Sequence, residues 1–157
     1  MERDTVLRLF AALAAEGVEY VLIGGVAVNL HGIVRATEDV DLFLRPDAGN
    51  VARLRQALRR VVDDPEVEGI SADDLAGPYP VVRYVSPDAR LVVDLIAALG
   101  ERFAFGDLEV MTRDVDGVPV RVATPATLYR LKRATVRPID QQDAERLRAA
   151  FAFEEDE

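Results

Sequence analysis

Residues 20–44 read YVLIGGVAVNLHGIVRATEDVDLFL, and the reading of this stretch decides the fold. The β-branched and aromatic run Glu19 to Ile23 predicts a buried strand, which breaks at Gly24 and Gly25. A short helix over Val26 to Leu30 follows, closed by His31 and Gly32. Thirteen residues intervene between Gly25 and Asp39, which stands at the head of a second strand, Val40 to Leu44. Side chains alternate along a strand, so Asp39 and Asp41 share one face while Val40 and Leu42 take the other. Glycine at the corner lets backbone N–H groups approach an anion, and a helix N-terminus adds positive potential. A paired acidic face opposite a glycine turn is the layout of a site for a metal ion and a phosphate chain. Each part alone has a plainer reading, a tight turn and the wet face of an edge strand.

Working outward, Thr5 to Ala15 spaces Val6, Leu9, Phe10 and Leu13 at helical intervals, with Gly17 as the stop. Downstream, a helix from about Asn50 to Val62 turns Val51, Leu54, Leu58 and Val61 inward and leaves Arg53, Arg55, Arg59 and Arg60 solvated. Asp63 to Gly69 reads as an acidic loop, and Ser71 to Asp74 as a capped helical turn. Tyr79 to Val85, a turn at Ser86 to Asp88, and Arg90 to Ile96 predict a hairpin. Its second strand is apolar on both faces except at Asp94. A buried carboxylate costs several kcal/mol unless it is paired or metal-bound, so Asp94 needs a partner unless it reaches solvent at the strand's end. A second hairpin, Glu109 to Val115 and Val118 to Val122, turns at Asp116-Gly117. Thr124-Pro125 starts a helix running to about Ala134, with Leu128 and Leu131 inward and Lys132 at the edge of that face. A last helix, Pro138 to Phe151, is expected to bury Ile139, Leu147 and Phe151 and to turn Asp143 inward, and residues 153–157 to fray.

With 157 residues and 50% hydrophobic composition, the chain suffices for one domain with a real core. The order of elements predicts an α+β fold, a mixed sheet flanked by helices. Its core covers about 1–122, a C-terminal helical pair about 124–152, and an acidic tail 153–157. Cysteine is absent and His31 is the only histidine, which removes disulfides, thiol nucleophiles and Cys/His zinc sites. Any metal is then a hard, oxygen-liganded cation such as Mg²⁺ or Mn²⁺. A formal net charge of −9 argues against a broad grip on long duplex nucleic acid and favours a compact acceptor or one end of an RNA. The first residues lack a signal-peptide pattern and no apolar run reaches membrane-helix length, so a cytoplasmic location is expected. Eighteen basic residues are arginine and one, Lys132, is lysine. The two side chains are not equivalent at a phosphate or a carboxylate.

Gly24-Gly25, the triplet Asp39-Val40-Asp41 and the distal Asp94 together resemble the signature of the nucleotidyltransferase superfamily, the DNA polymerase β-like fold. The fuller pattern, G-G-x-A with His31-Gly32, Arg35-x-Thr37 and D-V-D, is similar to the AbiEii-type branch found in toxin–antitoxin and phage-defence systems. Leu131-Lys132-Arg133, followed by Arg137-Pro138-Ile139-Asp140-Gln141-Gln142-Asp143-Ala144, resembles that branch's second motif, with Ile139 where lysine is commoner. The resemblance implies metal-dependent transfer of NMP from an NTP such as ATP to a hydroxyl on an RNA or tRNA end, a protein or a small molecule. In that scheme Asp39 and Asp41 bridge Mg²⁺ and the triphosphate, and Asp94 completes the acceptor-side metal site and helps deprotonate the hydroxyl. Gly24 and Gly25 offer backbone donors, Arg35 or Thr37 adds side-chain contacts, and Lys132 meets the triphosphate or pairs with Asp143. His31 ties the loop down. Two other functions fit the same residues: a silent module that binds a partner toxin or antitoxin, and an aminoglycoside-type drug-modifying enzyme.

Overall fold

Every side chain of the strand β1 (Tyr20–Ile23) is buried, because this strand has a neighbour on each edge and cover on both faces. The computed structural model describes residues 2–77, 80–99 and 103–153. The other strands of the main sheet are β2 (Val40–Leu44), β3 (Val81–Val85), β4 (Val92–Ile96), β7 (Val110–Val115) and β8 (Val118–Ala123). They stand in the order β3-β4-β2-β1-β8-β7. β1 pairs antiparallel with β2 and parallel with β8, β2 pairs parallel with β4, and the hairpins β3–β4 and β7–β8 close the two sides. The sheet is mixed, as expected. A small ribbon, β5 (Ala98–Leu99) with β6 (Phe103–Ala104), was not anticipated, since strands of two residues carry no alternation to read.

The helices are α1 (Arg3–Ala15), α2 (Gly24–Leu30), α3 (Ala48–Arg59), α4 (Ala72–Ala76), α5 (Pro125–Arg133) and α6 (Pro138–Phe151). Phe10 of α1 meets Tyr20 with ring centroids 6.1 Å apart, so α1 covers the Tyr20 and Leu22 face of the sheet. α3 packs beside α1, while α2, α5 and α6 contact one another in sequence. Ile23 and Asp41 point to the face that α1 leaves free, by the alternation of β1 and β2. Asn50, fully buried, clasps the ends of both strands: its Oδ1 accepts from Glu19 N at 2.7 Å, and its Nδ2 donates to Glu19 O and Arg45 O at 2.8 and 2.9 Å. Among the described residues no helix is long and apolar enough to cross a membrane.

Several local expectations need correction. α3 starts at Ala48 because Asp47 caps it, accepting from Asn50 N at 2.8 Å, and it ends at Arg59, short of Val62. Its arginines are engaged beyond mere solvation: Arg55 donates to Ile70 O at 2.7 Å, Arg60 pairs with Glu16 at 2.7 Å, and Arg59 pairs with Glu68. The acidic loop contains a 3₁₀ turn, Pro65–Gly69, capped by Asp64. Leu147 is buried, but Ile139 and Phe151 are exposed. The inward stripe of α6 consists of Asp140, Asp143, Ala144 and Leu147, and Ile139 falls one position off it. Fraying does not begin at Phe153, whose ring stacks on Phe151 at 5.9 Å and leans on Tyr129 at 5.4 Å. Residues 154–157, and Tyr79 at the expected start of the first hairpin, lie outside the described residues.

Candidate active site

Strand register draws one row across half the sheet. Arg83 of β3 lies opposite Asp94 of β4, Asp94 beside Asp41 of β2, and Asp41 opposite Ile23 of β1. Paired positions point to the same face, so residues far apart in sequence become neighbours without any loop having to reach. Asp39 precedes β2 by one residue and projects to the same side. Carboxylate oxygens of Asp39, Asp41 and Asp94 all lie within 4.8 Å of one another.

The glycine corner is part of this row by necessity. Gly24 has φ +73°, and a Cβ there would land on the Asp41 carboxylate, 2.8 Å from its Cγ. A Cβ on Gly25 would strike the Arg35 guanidinium and come within 2.9 Å of Thr37 Oγ1. The pair thus lets the start of α2 lie against the acidic row and the Arg35–Thr37 wall at once. These residues line a cleft of about 640 Å³ together with Arg83, Leu128, Leu131, Lys132, Thr135, Arg137 and Asp140.

The far wall comes from α5 and α6. Thr124 caps α5 by accepting from Thr127 N at 3.2 Å, with Pro125 at the first position. Lys132, near the end of α5, is buried, with Nζ 2.8 Å from Asp143 Oδ2 and 3.3 Å from Asp140 Oδ1. Asp143 is fully buried, also meets Arg35 Nε at 3.3 Å, and is absent from the cleft lining. It stands behind Lys132 and Arg35, which themselves face the cleft. Asp140 accepts from Thr135 Oγ1 at 2.8 Å and from Arg137 Nε at 2.9 Å.

Charge is unevenly shared among the three carboxylates. Asp41 is pushed up to about 7, first by burial and then by Asp39 and Asp94, with Lys132 pulling the other way. Asp39 is raised by burial and by Asp94. Asp94 is held below the usual carboxylate range, chiefly by the Arg83 guanidinium. His31 is buried outside the cleft lining, its Nε2 donating to Ala123 O at 2.8 Å and its Nδ1 facing Arg113 at 3.3 Å. Burial lowers its pKa, so the ring ties α2 to β8 in neutral form.

Two participants escaped the sequence reading. Arg83 was not legible from the expected turn, because a hairpin centred on Ser86 to Asp88 would set it opposite Leu91, whereas the observed register, with residues 86–91 between the strands, sets it across from the Asp94 that needed a partner. Asp140 was legible from its spacing: three residues before Asp143, it shares that face of the helix.

Residues 7–149 match the family model described as nucleotidyl transferase AbiEii toxin, type IV TA system. In structure the chain resembles a candidate nucleotidyltransferase from Thermotoga maritima, with a TM-score of 0.56 and 14% identity over 97% of this chain and 96% of that one. It also resembles an antigenic nucleotidyltransferase-like protein from Paracoccidioides brasiliensis, with a TM-score of 0.55 and 18% identity over 96% of this chain and 78% of that one. At such identities the likeness is one of fold. No curated protein matches the chain in sequence. The sheet is therefore that of the nucleotidyltransferases, and a family match running from Leu7 to Ala149 makes the assignment more specific: this chain belongs to the AbiEii nucleotidyltransferase family.

Proposed function

We propose that the protein is a divalent-metal-dependent nucleotidyltransferase that transfers NMP from an NTP to a hydroxyl acceptor, acting as the toxin of a toxin–antitoxin pair. The observation that carries this reading is the convergence of Asp39, Asp41 and Asp94 within 4.8 Å at the glycine corner. The donor set fits Mg²⁺ or Mn²⁺: all its ligands are carboxylate oxygens, and Asp41 is pushed up to about 7 first by burial and then by its acidic neighbours, a penalty on its charged form that a bound cation would relieve. When bound, the ion supplies charge neutralisation for the leaving pyrophosphate and acidifies the attacking hydroxyl.

The chain's own residues do the rest. Asp39 and Asp41 would hold the metal together with the triphosphate, and Asp94 would complete the metal site and take up the hydroxyl proton. As the acceptor oxygen bonds to the α-phosphorus, the bond from that phosphorus to the pyrophosphate oxygen breaks. Lys132 presents its ammonium to the triphosphate, fixed by Asp143 and Asp140. Arg35 and Thr37 line the same wall, and backbone N–H groups at Gly24 and Gly25 add donors. Asp143, buried as it is, works by positioning Lys132 and Arg35. The family's description supports a cognate antitoxin as protein partner.

Calorimetry of NTP binding with Mg²⁺ tests this reading. Binding is expected for the wild type and is expected to be lost in Asp39→Asn with Asp41→Asn; a folded wild type that binds no NTP with Mg²⁺ would overturn it. One observation favours a second reading, a silent module that only binds a partner: Arg83 already pairs with two of the three carboxylates. If the double variant keeps both complex formation and the cellular effect, that reading replaces the first.

A further inference from the structure

Arg83 grips the oxygens that a divalent ion needs. Its Nη2 donates to Asp39 Oδ2 at 2.8 Å and to Asp94 Oδ2 at 2.9 Å, and its Nε donates to Asp94 Oδ1 at 2.8 Å. One planar guanidinium thus bridges a carboxylate of β4 and one just before the start of β2. Mg²⁺ takes its oxygens at about 2.0–2.1 Å in a near-octahedral shell, so it claims the same lone pairs and repels the cation that already holds them. Arg83 is also free to go. It stands on β3, at the edge of the sheet, with its side chain 58% exposed, and its neighbours on that side of the strand, Val81 and Val85, are exposed too. The grip itself is the only set of side-chain hydrogen bonds it makes among the described residues.

We propose that Arg83 is a built-in competitor for the metal site, closing the acidic row in the metal-free protein and leaving it only when a divalent ion displaces the guanidinium. Displaced, Arg83 becomes a cation on the rim beyond Asp94, across the cleft from Lys132. The site's metal affinity is then set by an exchange of one cation for another, which a bare cluster of three carboxylates would not need. The inference rests on the metal-dependent reading given above.

Mn²⁺ binding, followed by the paramagnetic resonance signal of the free ion, is measured on the wild type, Arg83→Met and Arg83→Lys. Arg83→Met is expected to bind roughly two- to fivefold more tightly than the wild type, the range appropriate to a partly exposed ion pair, with Arg83→Lys in between. Should Arg83→Met fail to fold without metal, Arg83→Lys carries the comparison, since it keeps the charge and loses the two-pronged grip. Displacement is read separately by NMR: the Arg83 Nε–H is expected to be protected in the metal-free protein and to exchange rapidly at saturating Mg²⁺. Equal affinities, or an Nε–H still protected at saturation, overturn the competitor while leaving the metal site in place. A folded wild type and folded variants that all bind no Mn²⁺ overturn both.

Discussion

Asp41 is the side chain in which burial and like charge act together. Its carboxyl is pushed up to about 7, whereas an aspartate in an unfolded chain titrates near 3.9. Between those values the folded protein binds more protons than the unfolded one, so stability falls as pH rises from about 4 to about 7. At 1.36 kcal/mol per pKa unit the loss is up to about 4 kcal/mol. Asp94, held low by Arg83, contributes in the opposite sense: its stabilisation is present above about pH 4 and is lost on acidification. The metal-free protein is therefore expected to melt at a lower temperature at about pH 8 than at about pH 5.5. Asp41→Asn should remove most of that difference, and thermal melts at the two pH values check it. Saturating Mg²⁺ should do the same, because the cation replaces the proton.

At the scale of elements, the α5–α6 pair depends on an ionic contact inside its interface. Lys132, Asp140 and Asp143 are all buried, and among the described residues Asp143 Oδ1 has no hydrogen-bond partner. Removing one member of a buried ionic group leaves its partner charged and unsolvated, at a cost of about 3–5 kcal/mol. Lys132→Met is expected to destabilise the fold by about 3 kcal/mol, less any share that Arg35 takes over. Adding Asp143→Leu should recover much of that loss, and urea unfolding of the single and double variants checks both. The helix that carries Lys132 was legible beforehand because its signals are local: a threonine cap, a proline at the first turn, leucines at helical spacing. The Asp116-Gly117 turn was legible for the same reason, and both residues do adopt positive φ, at 52° and 86°. The exposure of Ile139 and Phe151 was not, since an apolar residue in a helix states a preference for burial without stating which face its neighbours will cover.

Across the whole molecule, sheet order decides which parts open first. β1 and β2 lie between other strands and bury nearly every side chain, whereas β3 and β7 are edges with exposed residues. Hydrogen exchange should be slowest over residues 20–23 and 40–44 and fastest within the sheet over 81–85 and 110–115, as mass spectrometry of deuterated fragments would show. The three aspartates stood out in the sequence as charges set in apolar runs. Their meeting did not, because a parallel pairing of β2 with β4 leaves no local mark, and it was the resemblance to a family that anticipated it. Arg83 stayed hidden until a register could be counted.

Asp41 and Asp94 become neighbours only once β4 has docked beside β2, and the pairing of Lys132 with Asp143 waits for the last helix. A polypeptide still emerging from the ribosome, or released by a premature stop before residue 143, therefore lacks the buried carboxylate that fixes Lys132 at the cleft. For a cell that makes this chain, translation itself withholds the finished pocket until the message for α6 has been read.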